Sequence, residues 1–358
     1  MSKEMVRVLV VDDSALMRKL IPQIIERDTS IHVVGTAMDG AFALKKIEEL
    51  RPNVITLDLE MPRMDGMETL KAIMRHHQLP VIVVSAHTTQ GATATFKALS
   101  MGAFDFVAKP HDALSSHMDA IAEELISKIK VASQTKIPKS QPELPAPRKT
   151  KKPALRRVPT RKVVAIGIST GGPNSLQYVL SQLPADFPAS IVVVQHMPEG
   201  FTELFAQRLD ETCAIDVKEA HSGDLLLAGR ALICPGNKHL RVRRMPLGNI
   251  AVLSDDPKVN GHRPSVDVLF RSVAQEFGRD GVAVIMTGMG EDGADAMGEV
   301  KHSGGLTIAQ DEESCVVYGM PRAAIERGHA MRVVPLDALA NTLVAQCTER
   351  SRPAKQKV

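Results

Sequence analysis

The stretch VRVLVVDDS, residues 6–14, decides how the first third of the chain folds. Its apolar residues do not alternate with polar ones, so it reads as a strand covered on both faces, as in a parallel sheet packed between helices. It ends on Asp12 and Asp13, and Ser14 then suits the N-cap of a helix. The same rhythm recurs downstream. Strands are predicted near residues 32–36, 54–57, 81–84 and 104–107, with helices over 15–26, 41–50, from about 66, 92–101 and 113–130. Five βα units predict a doubly wound, five-stranded parallel sheet. Ligands of such sheets bind beyond the carboxyl ends of the strands.

The strand ends carry the chemistry. The first ends in Asp12-Asp13, the third in Asp58, and the fourth in Ser85, while Lys109-Pro110 follows the fifth. Three carboxylates on one sheet edge repel one another unless a cation neutralises them. Hard oxygen donors suit Mg²⁺. A carboxylate, a divalent cation, a hydroxyl and an ammonium group together suit a phosphoryl group in transfer. Taken singly, Asp12-Asp13 is a turn or cap, Asp65-Gly66 a turn and Lys109 a surface charge. Their succession at consecutive strand ends outweighs those readings. Asp105 is expected to be a structural polar turn residue.

A second α/β pattern begins near residue 160. Residues 163–168 form a buried strand followed by Ser169-Thr170-Gly171-Gly172 and a helix. Residues 191–194 form another, ending in Gln195-His196, and residues 282–286 a third, ending in TGMGEDG (287–293). Residues 231–234 and 250–253 read as strands in a less regular stretch with antiparallel character. GISTGG lacks the G-x-G-x-x-G order of a dinucleotide site, and no acid ends the next strand. GEDGAD lacks the twelfth-position Glu of a calcium loop. The remaining reading is a nucleophile on a sharp strand-to-helix turn. Serine needs a base within reach, and the base an orienting acid. Ser169, His196 and Asp292 come from three strand ends on one edge and meet that need. Taken alone, each has a plainer use as a helix cap, a packed imidazole or an Asp-Gly turn.

Between the two patterns, residues 136–162 hold ten Lys or Arg, one acid and six prolines. Such a segment buries too little to offset its ordering entropy and reads as a linker. The net charge of +3 on 358 residues therefore hides an excess of acids elsewhere, 34 basic against 40 acidic residues. That argues against a nucleic-acid-binding face. Neither a signal peptide nor a membrane span is legible, so a cytoplasmic protein without membrane insertion is expected. Cys213, Cys234, Cys315 and Cys347 lack metal or disulfide spacing and are expected to be inert. With no Trp and 3% aromatics, the cores should rest on aliphatic side chains.

Residues 5–125, through VVDDS, LDLEMPRMDG, SA and KP in order, resemble the receiver domain of two-component response regulators, a flavodoxin-like fold. That resemblance implies phosphorylation of Asp58 by a histidine kinase, and Mg²⁺ held by Asp12, Asp13, Asp58 and the Glu60 carbonyl. It also implies phosphoryl contacts from Ser85 and Lys109, and a switch rotamer at Phe106. Residues 160–348 resemble the catalytic domain of the chemotaxis receptor methylesterase family, CheB, through IGISTGGP, VVVQHMP, CPGNKHL, RPSVDVLF, MTGMGEDG and QDEESCVVYGMPRAA. The implied triad is Ser169, His196 and Asp292, with oxyanion donors at the amides of Thr170 and Met289 and no cofactor for the esterase. RPSVDVLF and Met289 are expected to shape the substrate groove, and Glu291 is given no role. The expected organisation is a receiver over 1–130, a linker over 131–160, a second doubly wound, mostly parallel α/β catalytic domain over 161–350 and a disordered tail over 351–358. The implied activity is phosphorylation-activated hydrolysis of glutamate γ-methyl esters on methyl-accepting chemotaxis receptors, with deamidation of receptor glutamines, by a monomer. The rival readings are a phosphorylation-dependent adaptor with an inactive esterase-like domain, and a DNA-binding regulator. The latter lacks a helix-turn-helix and a basic folded face.

Overall fold

The computed structural model describes residues 5–86, 88–109, 118–135 and 158–348. Most of the expected linker, the tail and the start of the helix expected from 113 lie outside them. The chain divides into two compact units, Met1–Glu143 and Leu144–Val358.

In the first unit, β1 (Val6–Val11), β2 (Ile31–Ala37), β3 (Val54–Leu57), β4 (Val81–Ser85) and β5 (Asp105–Ala108) form a parallel sheet in the order β2-β1-β3-β4-β5. The order reverses around β1 and β3, so a crevice opens at their carboxyl ends. The helices α1 (Ala15–Ile25), α2 (Gly40–Leu50), α3 (Gly66–His76) and α4 (Thr89–Ser100) each start on a side-chain cap, from Ser14, Asp39, Asp65 and Thr88 respectively. Each cap oxygen accepts an otherwise orphaned amide of the first turn. α5 (Met118–Gln134) runs past the expected boundary at 130, because Ile129 and Ala132 are fully buried. Asp105 is no turn residue. It opens β5, is buried, and lies 3.4 Å from the Lys128 ammonium.

In the second unit, β6 (Val163–Ile168), β7 (Ser190–Gln195), β8 (Asp216–Glu219), β9 (Arg230–Ile233), β12 (Gly281–Ile285), β13 (Leu306–Gln310) and β14 (Arg332–Val334) form a seven-stranded sheet. Its order is β14-β13-β12-β6-β7-β9-β8, with every pairing parallel. The chain enters at the centre with β6, builds outward through β7, then crosses back to β12 on the other side. The switch point is therefore β6/β12. β10 (His239–Arg243) and β11 (Ile250–Ser254) form a separate antiparallel ribbon. Residues 250–253 thus belong to an antiparallel pair, whereas 231–234 overlaps a strand of the parallel sheet. The ribbon's Leu240, Val242 and Ala251 join one core with Val266, Leu269 and Phe270 of α8 (Val266–Phe277). The remaining helices are α6 (Gly172–Ser181), α7 (Thr202–Thr212), α9 (Ala294–His302), α10 (Met320–Glu326) and α11 (Leu336–Thr348). Aliphatic side chains fill most of both cores, yet Phe187, Phe201, Phe205 and Phe270 are among the largest fully buried groups. Few aromatics in a sequence do not mean few in its core.

Gly66 is hemmed in by backbone. A Cβ there would run into the Asp58 carbonyl and the Leu59 backbone, which cannot yield as a side-chain tip could. Gly66→Ala is expected to cost the first unit about 1–3 kcal/mol. Urea unfolding followed by pulse proteolysis should show its protection falling at lower urea, with that of the second unit unmoved. Equal loss in both units would refute the assignment of the strain.

Candidate active site and phosphoacceptor pocket

In the first unit, the carboxylates of Asp12, Asp13 and Asp58 each place an oxygen within 4.8 Å of the others. Asp12 and Asp58 are buried and Asp13 is exposed. Lys109 donates to Asp58 Oδ2 at 2.6 Å and stands 3.1 Å from Asp12 Oδ2. The latter is an ion-pair approach without a directed hydrogen bond, since Asp12 Oδ2 is buried with no hydrogen-bond partner. Asp12 Oδ1 accepts the Ser14 amide at 2.8 Å, and Asp58 Oδ1 accepts that of Glu60 at 3.2 Å. Burial, reinforced by the charge of Asp12, holds the Asp58 carboxyl above its ordinary pKa despite Lys109. Burial works against the Lys109 ammonium, but Asp58 and Asp12 hold its pKa above the usual lysine value. This donor set fits a small hard cation: clustered oxygens, excess negative charge and one buried, undirected carboxylate oxygen.

Ser85 ends β4 and donates its hydroxyl to the Gly91 carbonyl at 3.1 Å. Phe106 is buried, edge-on to Phe96 with ring centroids 6.4 Å apart, and the Lys128 ammonium lies 5.4 Å from its ring centre.

In the second unit, Ser169, His196 and the 287–293 loop follow the central strands β6, β7 and β12. The Ser169 amide donates to the Thr287 carbonyl at 3.0 Å, and the His196 amide to Ile168 at 3.1 Å. Gln195 Nε2 donates to the Ser169 carbonyl at 2.9 Å. A Cβ on Gly288 would come within 2.8 Å of that of Ser169, so the glycine lets this loop close on the serine. Ser169 does not cap the following helix. That position falls to Gly171, whose φ of 74° needs no side-chain oxygen.

His196 Nε2 and Asp292 Oδ2 are 2.9 Å apart. His196 Nδ1 is buried and without a hydrogen-bond partner. In the common serine-hydrolase arrangement Nδ1 meets the acid and Nε2 the serine; here the acid holds Nε2. Thr170 is buried, and its carbonyl accepts the Thr287 hydroxyl at 3.0 Å. Met289 is half-buried. Among the described residues neither the Thr170 nor the Met289 amide donates to a backbone carbonyl.

Asp292 is almost fully buried and well provided with donors. Its Oδ1 accepts the Ser265 hydroxyl at 2.8 Å, the Asp267 amide at 3.3 Å and Asn260 Nδ2 at 3.3 Å, and Oδ2 accepts the Val266 amide at 2.7 Å. The first turn of α8 thus caps an anion with its own amides. The favour is returned, since Asp267 accepts the Gly293 and Ala296 amides at the start of α9, at 3.1 and 3.0 Å. RPSVDVLF was expected to shape the substrate groove; its Ser265, Val266 and Asp267 hold the acid. Glu291, exposed, pairs with Arg327 at 2.6 Å. The cysteines carry no disulfide, and burial pushes the Cys234 thiol well up and that of Cys347 to about 11.

Sequence reasoning missed Asn260 and His262. The His262 ring stacks on that of His196 with centroids 4.0 Å apart and 6° between planes. The available signal was the Asn260-Gly261 dipeptide, which favours a two-residue hairpin turn.

Fold and site define a class: a receiver-type α/β unit, with a phosphoacceptor-like carboxylate pocket, joined to an α/β unit with a hydrolase-like His-Asp pair beside a strand-end serine. Residues 164–343 match the family described as CheB methylesterase, and residues 8–119 the response regulator receiver domain. A protein-glutamate methylesterase/protein-glutamine glutaminase of Koribacter versatilis is 66% identical, over 95% of this chain and 96% of its own. One from Symbiobacterium thermophilum is 47% identical over 94% and 96%. The crystal structure of the Thermotoga maritima CheB methylesterase catalytic domain matches with 44% identity and a TM-score of 0.51, over 52% of this chain and 98% of that one. The chain belongs to the CheB methylesterase family, with a response regulator receiver domain ahead of the catalytic one.

Burial alone would raise the Asp292 carboxyl pKa, but His196, the Val266 amide and the Ser265 hydroxyl bring it down to about 2 from an ordinary 3.8. A pKa depressed by folding contributes stability above the unfolded value, and that stability is lost as pH falls through the folded one. Asp292→Asn should therefore lower the stability of the second unit by about 2 kcal/mol near neutrality. The deficit should shrink between about pH 4 and about pH 2. Urea titrations across that range check it, and a deficit independent of pH would contradict the assignment.

Proposed function

We propose that this protein is a phosphorylation-activated esterase that hydrolyses glutamate γ-methyl esters on methyl-accepting chemoreceptors and deamidates receptor glutamines. The observation that carries the reading is the His196–Asp292 pair, 2.9 Å apart, beside Ser169 at the switch point of the sheet.

In this reading Ser169 Oγ attacks the ester carbonyl carbon and its proton passes to His196 Nδ1, the buried nitrogen with no hydrogen-bond partner. Asp292 holds Nε2–H, fixes the tautomer and stabilises the imidazolium. The amides of Thr170 and Met289 donate to the oxyanion, where a positioned donor acts most strongly. The tetrahedral intermediate expels methoxide, which takes the proton from His196 and leaves as methanol. For glutamine the leaving group is ammonia. Water, deprotonated by His196, then cleaves the acyl-serine and releases the glutamate carboxylate. No cofactor is needed for these steps.

In the receiver, Asp58 is the nucleophile that takes a phosphoryl group from the histidine kinase of the chemotaxis system. Asp12, Asp13, Asp58 and the Glu60 carbonyl would hold Mg²⁺, which when bound neutralises the crowded negative charge. Lys109 and Ser85 contact the phosphoryl oxygens, and a change at Phe106 transmits the event. The unphosphorylated receiver restrains the esterase, and phosphorylation shifts the population toward the active arrangement. The basic, Pro-rich residues of the connection act as a tether that keeps the receiver at high effective concentration. Among the described residues no helix is long and apolar enough to cross a membrane. In this reading the protein works in the cytoplasm as a monomer.

The test is methanol release from a methylated chemoreceptor fragment with Mg²⁺, with and without a small phosphoryl donor. Release should rise with the donor, vanish in Ser169→Ala, and lose its donor dependence in Asp58→Ala. A chain starting at residue 158 should be faster than the unphosphorylated full protein. Equal rates would refute restraint by the receiver and leave the esterase standing.

A further inference from the structure

Residues 259–262 form a two-residue hairpin turn. Val259 and His262 exchange both backbone hydrogen bonds, at 3.0 and 2.9 Å, and the central Asn260 and Gly261 have φ of 52° and 79°. Left-handed conformation at both central residues is what Asn-Gly tolerates best. The turn carries two side chains into the site from positions two residues apart. His262 lies flat on the His196 ring, centroids 4.0 Å apart and planes within 6°. Asn260 Nδ2 donates to Asp292 Oδ1 at 3.3 Å and to Asp267 Oδ2 at 2.9 Å. One turn thus touches both the imidazole and the carboxylate of the acid–base pair.

The turn is itself fastened on both sides. Downstream, the Arg263 guanidinium donates to Asn237 Oδ1 at 3.0 and 2.7 Å and to the carbonyls of Asp255 and Asp256 at 2.9 and 3.2 Å. The buried His239 spans it, with Nε2 3.0 Å from the Pro257 carbonyl and Nδ1 accepting the Ser265 amide at 3.3 Å. Those roles fit a single neutral tautomer. A group held this firmly can fix the orientation of another, as a base needs when small misplacements are costly.

We infer that the 259–262 turn is a positioning clamp for the catalytic pair: His262 fixes the plane of the His196 ring, and Asn260 fixes the Asp292 carboxylate. This rests on the triad reading above. His262 acts through the His196 ring on which it stacks. A phenyl ring at 262 can stack in the same way, whereas a methyl group cannot.

The experiment compares the full-length, phosphoryl-donor-activated protein with His262→Ala, His262→Phe, Gly261→Ala and Ser169→Ala, by methanol release from the methylated receptor fragment. Gly261 tests the turn without entering the site. A Cβ there meets nothing within 4 Å, so the substitution acts only through its positive φ. His262→Ala and Gly261→Ala should lower kcat by roughly 10-fold while KM stays within about 3-fold. His262→Phe should recover kcat to within about 3-fold of native. Thermal unfolding of all variants should lie close to native, so that a kcat loss is not a folding loss. If His262→Ala keeps native kcat, or His262→Phe is as slow as His262→Ala, the clamp is wrong while an inactive Ser169→Ala leaves the triad standing. If Ser169→Ala still releases methanol, the triad reading falls and takes the clamp with it.

Discussion

The second unit is organised around one buried carboxylate. An ionised Asp292 with no donors would be prohibitively costly in that environment. Its cost is offset by the Val266 and Asp267 amides, the Ser265 hydroxyl, the Asn260 amide and the His196 ring. Those groups come from the start of α8, the hairpin turn and the end of β7. Each must be in register for the others to reach the same two oxygens. Asp267 makes the arrangement reciprocal, since it holds the amides at the start of α9 while its own amide helps hold Asp292. Two helix N-termini are thus locked by exchanged acids, and the lock fixes where His196 can point.

The strand-end logic explains why so much of this was legible in the sequence. In a parallel sheet each functional residue directly follows an apolar run, so position along the chain reports position on one edge. Asp12, Asp58, Ser85 and Lys109 were placed in this way, and so were Ser169 and His196 as neighbours after β6 and β7. The rule fails once contacts leave the strand ends. Asn260 and His262 lie in a turn outside the sheet, and nothing in local pattern says that a turn will fold back on a strand end far from it in sequence. The part RPSVDVLF plays in holding Asp292 was hidden because the amides of Val266 and Asp267, which any sequence possesses, are the groups that do it. Asp105 misled for a related reason: an acid at the start of a strand reads as solvated until its partner, Lys128 on α5, is seen. Even the end of α5 depended on tertiary contact, since the core that Ile129 and Ala132 enter carries the helix past residue 130.

The two units treat their central aspartates in opposite ways, and the difference matches the work proposed for each. Asp58 sits among like charges, with one firm cationic partner and one amide, and its pKa is raised by burial and by Asp12. A carboxylate left short of donors keeps a lone pair available and gains when a cation and a phosphoryl group arrive. Asp292 is surrounded by donors to both oxygens, and its pKa is driven down to about 2. That carboxylate has little reason to take up a proton from His196 or to move, which is what an orienting acid requires. The same fold class can therefore place an aspartate at a strand end as a reactive group or as a fixed one. The choice is made by how many N–H and O–H groups the flanking loops return to it.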